Sequence, residues 1–323
     1  MAKQEANSCT PFKTTCGGQA LLEGIMMQGP GKRAIVVRRP DGELDITEEE
    51  VKPKSGLAKL PFVRGLFIFC GSMVHGMKAL MHSAEVSDSG TEEEEELTGL
   101  DKWISDHFED EKATAIIITL AAVLGIAMSV GLFILLPTAL TGLVGMAWKT
   151  MPLWVRSVIE GVLKVAIFMI YLFLCSKMKE IHRVFQYHGA EHKTIYCYEN
   201  GLELTVENVR GQPRHHPRCG TSFLFVVIAV SIFLSIVIFT PLEIENTFLR
   251  MALHLLMLPV IVGVTYEFNR YVGGHDGLLC RALRAPGMWM QNFTTFEPDD
   301  SMIEVGIVAL KRVLPEKQGA DAW

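Results

Sequence analysis

Thr221-Ser222-Phe223-Leu224-Phe225-Val226-Val227-Ile228-Ala229-Val230-Ser231-Ile232-Phe233-Leu234-Ser235-Ile236-Val237-Ile238-Phe239-Thr240 contains no charged residue. A helix of about 20 residues rising 1.5 Å per residue matches a hydrocarbon core of about 30 Å. Charge is also missing from Ala113 to Ala147 and from Val165 to Ser176, and mean hydropathy reaches +0.27 despite the acidic run Glu92 to Glu96. These stretches predict a mainly α, polytopic membrane protein and exclude a wholly soluble globular protein, a disordered chain and a small disulfide scaffold. The 49% hydrophobic and 20% charged residues would suit a soluble enzyme if spread evenly, so their segregation carries the argument. Met1 to Thr15 is polar and reads as no cleavable signal peptide. The seven scattered cysteines read as reduced thiols or ligands. A net charge of −6 argues against nucleic acid as a partner.

Working outward, four spans are expected. The first begins after Lys112 and breaks near Pro137, leaving Thr138 to Trp148 for the far interface. Val158 to Cys175 is the second, Thr221 to Thr240 the third and Phe248 to Thr265 the fourth. Basic residues concentrate between spans two and three (Lys177, Lys179, Arg183, Lys193, Arg210, Arg214, Arg218) and after span four (Arg270, Arg281, Arg284, Lys311, Arg312, Lys317). The positive-inside rule then places that loop and both termini in the cytoplasm of a multi-pass cell (inner) membrane protein, with the lipid bilayer as its first partner.

Ahead of the spans, residues 16–54 form a Gly-rich cytoplasmic segment. Ala34 to Arg38 and Glu43 to Thr47 flank Pro40-Asp41-Gly42, a β-hairpin signal, and give a small β-containing cytoplasmic head. Gly17 to Pro30 lacks the Gly-Lys-Ser/Thr ending of a phosphate loop, so nucleotide binding is not expected. Residues 55–84 read as an interfacial or re-entrant helix, 85–112 as an acidic linker and pre-membrane helix, 113–268 as the four-span domain, and 269–323 as a cytoplasmic C-terminal region. Within the last, Met302 to Leu314 is amphipathic, with Ile303, Ile307, Leu310 and Leu314 on one face.

The cytoplasmic loop 177–220 carries the chemistry. In His188-Gly189-Ala190-Glu191-His192 the two histidines share a helix face one turn apart, close enough to clamp one cation, and His-x-x-Glu-His is the inverzincin spacing. Zinc is the first divalent candidate, with Glu191 as general base toward water. His216 and Cys219, just before span three, are candidate third and fourth ligands of a closed, structural site. Glu267, at the cytoplasmic end of span four, is the competing third ligand of an open, catalytic one. The sequence reading favours Glu267, because Glu191 then has a water to deprotonate. Glu23, Gln19 and Arg218 are candidates for supporting or substrate contacts, Arg218 first as a membrane-surface anchor.

Three long blocks, Gly17 to Met27, His182 to Lys193 and His216 to Leu224, followed by Tyr266-Glu267 and Pro286 to Thr295, resemble the YqhQ family, the domain of unknown function numbered 1385. The resemblance covers most of the chain from Cys16 to about Leu310. It implies a bacterial polytopic membrane protein described as a predicted metal-dependent enzyme.

The function expected is hydrolysis of a peptide or lipid-linked substrate at the membrane surface. The alternative is a non-enzymatic membrane scaffold or transport component with a structural histidine site. A channel or transporter is weakened by the few charges in the spans, chiefly Glu160, Lys164 and His254. Further copies of the chain, in a homo-oligomer, are among the partners considered. Reporter fusions after Lys179 and after Arg284 should read cytoplasm and one at Glu245 the outside; an external signal from 193–214 would overturn the topology.

Overall fold

The computed structural model describes residues 12–51, 56–88, 110–316 and 319–322. The run Glu92 to Glu96 and most of the linker expected around it lie outside those residues. The chain forms two compact units, one of residues 1–90, 171–227 and 259–323, the other of 91–170 and 228–258.

The first unit holds a four-stranded antiparallel meander, β1 (Gly17–Leu21), β2 (Gly24–Gln28), β3 (Lys32–Arg38) and β4 (Leu44–Glu50), in sequential order. The expected hairpin is β3–β4, with Arg38 opposite Leu44 and Gly42 at φ +90°, a conformation glycine adopts without steric cost. The Gly-rich opening is itself a hairpin that the sequence reading left without strands. Its turn, Leu22-Glu23, puts a non-glycine residue, Glu23, at φ +47°.

Helices follow in the order α1 (Val63–Asp88), α2 (Asp110–Val130), α3 (Leu136–Ala147), α4 (Leu153–Cys175), α5 (Lys179–Glu199), α6 (Val206–Arg210), α7 (Gly220–Phe239), α8 (Thr247–Gly274), α9 (Leu278–Thr294) and α10 (Asp300–Val313). The two-residue period of the strands sorts the core of the first unit. Leu21, Met26, Ile35 and Val37 pack with Ala79 of α1 on one face of the sheet. Ile25, Met27, Ala34 and Val36 pack with Tyr187 and Ala190 of α5 and Met302, Val305 and Ala309 of α10 on the other. Each such side chain contributes about 1.5–3 kcal/mol on burial. Covered on both faces, the sheet fixes where α5 runs. Helix α10 starts at Asp299, whose carboxylate accepts from Met302 N at 3.0 Å. It buries more than the single expected face: Ile303 and Ile307 of that face pack on Cys197 and Val209, and Met302, Val305 and Ala309, outside it, are buried as well.

Three helical stretches among the described residues are long and apolar enough to cross a membrane: Thr119–Ala147, Leu153–Cys175 and Thr247–Gly274. The apolar run expected as the third span, Thr221 to Thr240, forms α7, a helix of 20 residues with its apolar part at Phe223–Phe239. The break expected near Pro137 does not occur. A π-helical turn, Gly131–Leu135, joins α2 to α3, and Pro137 sits in the first turn of α3, where its missing N–H costs little. Thr141 donates its hydroxyl to the carbonyl of Pro137 at 3.0 Å, and the Thr138 hydroxyl oxygen lies 2.9 Å from the carbonyl of Ile134.

Gly189, a helix-weakening residue inside α5, has a packing reason. A Cβ there would lie 2.0 Å from the carbonyl oxygen of Phe296, whose N–H donates to Phe185 O at 2.9 Å. Gly189→Ala should therefore lower stability by about 1–3 kcal/mol through overpacking. Thermal unfolding checks this against Gly211→Ala, where the nearest atom is 3.6 Å away and no comparable loss is expected.

Candidate metal centre

Helix α5 starts after Met178 in extended backbone and is buried without interruption from Tyr187 to Ile195. Its amphipathic design is unusual in direction: the inward face carries His188, Glu191 and His192. The His188 and His192 rings lie 4.3 Å apart between centroids, as one helical turn requires.

Each imidazole is held from behind. His188 Nδ1 is 2.8 Å from Thr294 O, and His192 Nδ1 is 2.6 Å from Arg214 O. A carbonyl only accepts, so both Nδ1 atoms carry the proton and both Nε2 atoms face the site, the arrangement by which outer partners orient metal-ligating histidines. His188 Nε2 meets Cys219 Sγ at 3.1 Å, and His192 Nε2 is buried beside the same sulfur with no nitrogen or oxygen acceptor or donor in hydrogen-bond geometry among the described residues. One ligand atom from each of His188, His192 and Cys219 falls within 4.8 Å of the others. Two buried ring nitrogens and a sulfur converging on one point fit a divalent cation of the zinc type.

The electrostatics agree. Burial opposes ionisation of Cys219, but the His188 and His192 rings outweigh it and hold the thiol well below its ordinary value. Burial likewise opposes charge on His188, and the facing Cys219 outweighs it, pushing the imidazole up to about 9. Both directions describe one thiol–imidazole pair in which the charged forms favour each other, and a metal ion would displace the proton held between His188 Nε2 and Cys219 Sγ. Burial raises Glu191, with His188 and His192 pulling the other way.

Glu191 is placed by the sheet. Its Oε1 accepts from Gly18 N of β1 at 2.9 Å, and a Cβ on residue 18 would meet Met26 O at 2.6 Å and Glu191 Cδ at 3.0 Å. The second glycine of the opening thus serves a close strand-to-carboxylate approach.

The other candidates go elsewhere. His216 lies outside the donor group: its Nε2 is 3.4 Å from Glu199 Oε2, and its ring packs 5.6 Å from that of His192. Arg218 forms a buried ion pair with Glu199. Glu267 has both carboxylate oxygens committed to Arg64, with the Phe62 N–H adding a 3.1 Å bond, so the structure brings Cys219 and not Glu267 to the two imidazoles. Glu23 pairs with Arg183 at 2.5 Å and accepts from the Tyr187 hydroxyl at 3.2 Å. Gln19 packs its amide against Gly76 of α1. Sequence reasoning missed Gly18, Glu199 and Gln291, whose amide clamps the His216 backbone with two 2.8 Å bonds. It also missed the carbonyls of Arg214 and Thr294, for which no sequence signal exists because every residue has one.

The family model for the protein of unknown function DUF1385 matches residues 60–316, which include α5, Cys219 and Glu267. The chain belongs to this family. The uncharacterized protein YqhQ of Bacillus subtilis (strain 168) is 34% identical over 315 residues, covering 92% of each chain. No solved structure matches.

Purified full-length protein loaded with zinc provides the test of the donor set. His188→Ala, His192→Ala and Cys219→Ser should each weaken metal retention by at least about tenfold, whereas Glu267→Ala should retain it. Metal analysis by mass spectrometry after dialysis reads the difference, and the reverse order for Cys219 and Glu267 would sink the assignment.

Proposed function

We propose that the protein is a metal-dependent hydrolase of the cell membrane, acting at its cytoplasmic face on a peptide or lipid-linked substrate. The observation that carries this reading is the His188, His192 and Cys219 donor set with Glu191 on the same helix face. Three protein ligands are the complement of catalytic zinc sites, whereas structural sites take four. A zinc ion held there supplies Lewis acidity toward a carbonyl or a water.

The chain's own residues do the rest. Gly18 N–H occupies Glu191 Oε1, which leaves Oε2 to take a proton from the attacking water and return it to the leaving group. Thr294 O and Arg214 O keep the two imidazoles oriented, so neither ring has to reorganise during the reaction. Gln291 and the Glu199–Arg218 pair hold the 214–219 segment that delivers Cys219.

A membrane setting is supported by the three long apolar helices and by α1, which leaves Val63, Phe67, Val74, Met77 and Met81 exposed along one helical stripe. In this reading the loop 177–220 and both termini are cytoplasmic, as the basic residues suggest.

A scaffold with a structural metal is the second reading, favoured by the burial of both imidazoles, 9% and 1% exposed. Glu191→Gln separates the two. For the hydrolase it should keep wild-type zinc content and reduce turnover of quenched fluorescent peptides or lipid-linked peptides in vesicles by about 10²-fold or more. Equal turnover in both proteins would remove Glu191 from the chemistry and leave the scaffold.

A further inference from the structure

The second unit is made of apolar helices, yet it buries five ionisable side chains together. Glu160 is at the centre. Its Oε1 accepts from the Thr138 hydroxyl at 2.7 Å and lies 3.1 Å from Lys164 Nζ and 2.5 Å from His254 Nε2, while Oε2 is 3.0 Å from an Arg250 terminal nitrogen. Arg250 also donates to Ser157 Oγ at 3.1 Å and lies over the Phe239 ring at 4.6 Å. One turn before Glu160 on α4, Arg156 donates to Glu245 O at 2.5 Å and to Thr247 Oγ1 at 2.8 Å. None of these five side chains belongs to a residue more than 6% exposed.

The charges do not balance. A guanidinium keeps its proton in proteins, so Arg156 and Arg250 hold two positive charges against one carboxylate even when Lys164 and His254 are neutral. The acids of the adjoining loop, Glu243 and Glu245, are exposed, and neither forms an ion pair with either arginine among the described residues; Glu245 attracts Arg156 only at longer range and from solvent, where its charge is screened. The Nε atoms of Arg156 and Arg250 are both buried with no acceptor among the described residues. A desolvated cationic N–H without a partner is costly, and ionisable groups inside a membrane bundle mark function by default.

We propose that Arg156 and Arg250 hold an oxyanion of the phosphate class, as a free ion or as a lipid headgroup, at the end of the second unit where α4 and α8 begin. Guanidinium forks suit the planar oxygen pairs of such groups, and the first turns of two helices add favourable dipoles. Glu160 competes with the anion for the same cations and sets how tightly it is held.

Full-length protein in detergent, titrated with inorganic phosphate against chloride at constant ionic strength, tests this by calorimetry and thermal midpoint. A second arm compares nanodiscs of phosphatidylglycerol with nanodiscs of phosphatidylcholine and identifies retained lipid by mass spectrometry. A phosphate-specific response in detergent supports the proposal with the free ion as ligand. Selective retention of phosphatidylglycerol supports it with the headgroup as ligand. In whichever arm responds, Arg156→Gln should weaken binding at least about tenfold. Arg156→Lys, which keeps the charge and loses the fork, should fall between it and the wild type, and it serves if Arg156→Gln does not fold. Glu160→Gln should tighten binding. No preference in either arm, or Arg156 variants that bind as the wild type does, would overturn the proposal whatever the state of the metal centre.

Discussion

Helix α5 buries His188, Glu191, His192 and Lys193 in consecutive turns, and each of those polar groups would cost several kcal/mol if left without a partner. The partners come from all parts of the first unit. Gly18 of β1 answers Glu191, Arg214 O answers His192, and Thr294 O at the end of α9 answers His188. Lys193 donates to Arg210 O at 3.0 Å and pairs with Glu297. Satisfying one helix therefore fixes the strand in front of it, the 214–219 segment beside it and the chain that crosses it at Phe296. The tight crossing at Gly189 belongs to the same requirement, since the segment carrying Thr294 and Glu297 must lie against the helix backbone.

The same logic orders the chemistry. A histidine whose Nδ1–H is tied to a carbonyl has one free nitrogen with a fixed direction, and two such rings one turn apart face one point. Cys219, arriving at 3.1 Å from His188, completes the donor set and gains thiolate character from the imidazoles. The residues around it, Glu199, His216, Arg218 and Gln291, form a second network that touches the ring of His192 without entering the donor group. The polar groups of the second unit follow a different principle: there cations outnumber the single carboxylate, and two guanidinium Nε atoms keep no partner among the described residues.

Much of the architecture is legible in local sequence. Pro40-Asp41-Gly42 marks its turn because only glycine takes φ +90° freely, and the apolar spacing from Met302 to Leu314 marks α10, which the structure starts two residues earlier behind its Asp299 cap. The β1–β2 hairpin is not legible, because its turn uses Glu23 at φ +47° where the usual signal is glycine or asparagine. Nor is continuity through Pro137, since a π-helical turn two residues earlier absorbs the proline and leaves no mark in composition. The sequence reading took the few charges in the spans as a sign against a channel or transporter, and it did not count Arg156 and Arg250 among them, because they lie at helix starts, where arginine is normally solvated.

What the sequence by itself determined is whatever depends on spacing along one element. His188 and His192 share a face because an α-helix repeats every 3.6 residues, and the long uncharged stretches are apolar helices because nothing within them interrupts the pattern. What only the tertiary structure decided is which distant group joins them. Cys219 stands 31 residues from His188 and Glu267 farther still, and no local periodicity ranks the two. Packing does: the Gln291 clamp and the Glu199–Arg218 pair hold the Cys219 segment against α5, while Arg64 and the Phe62 N–H take both oxygens of Glu267.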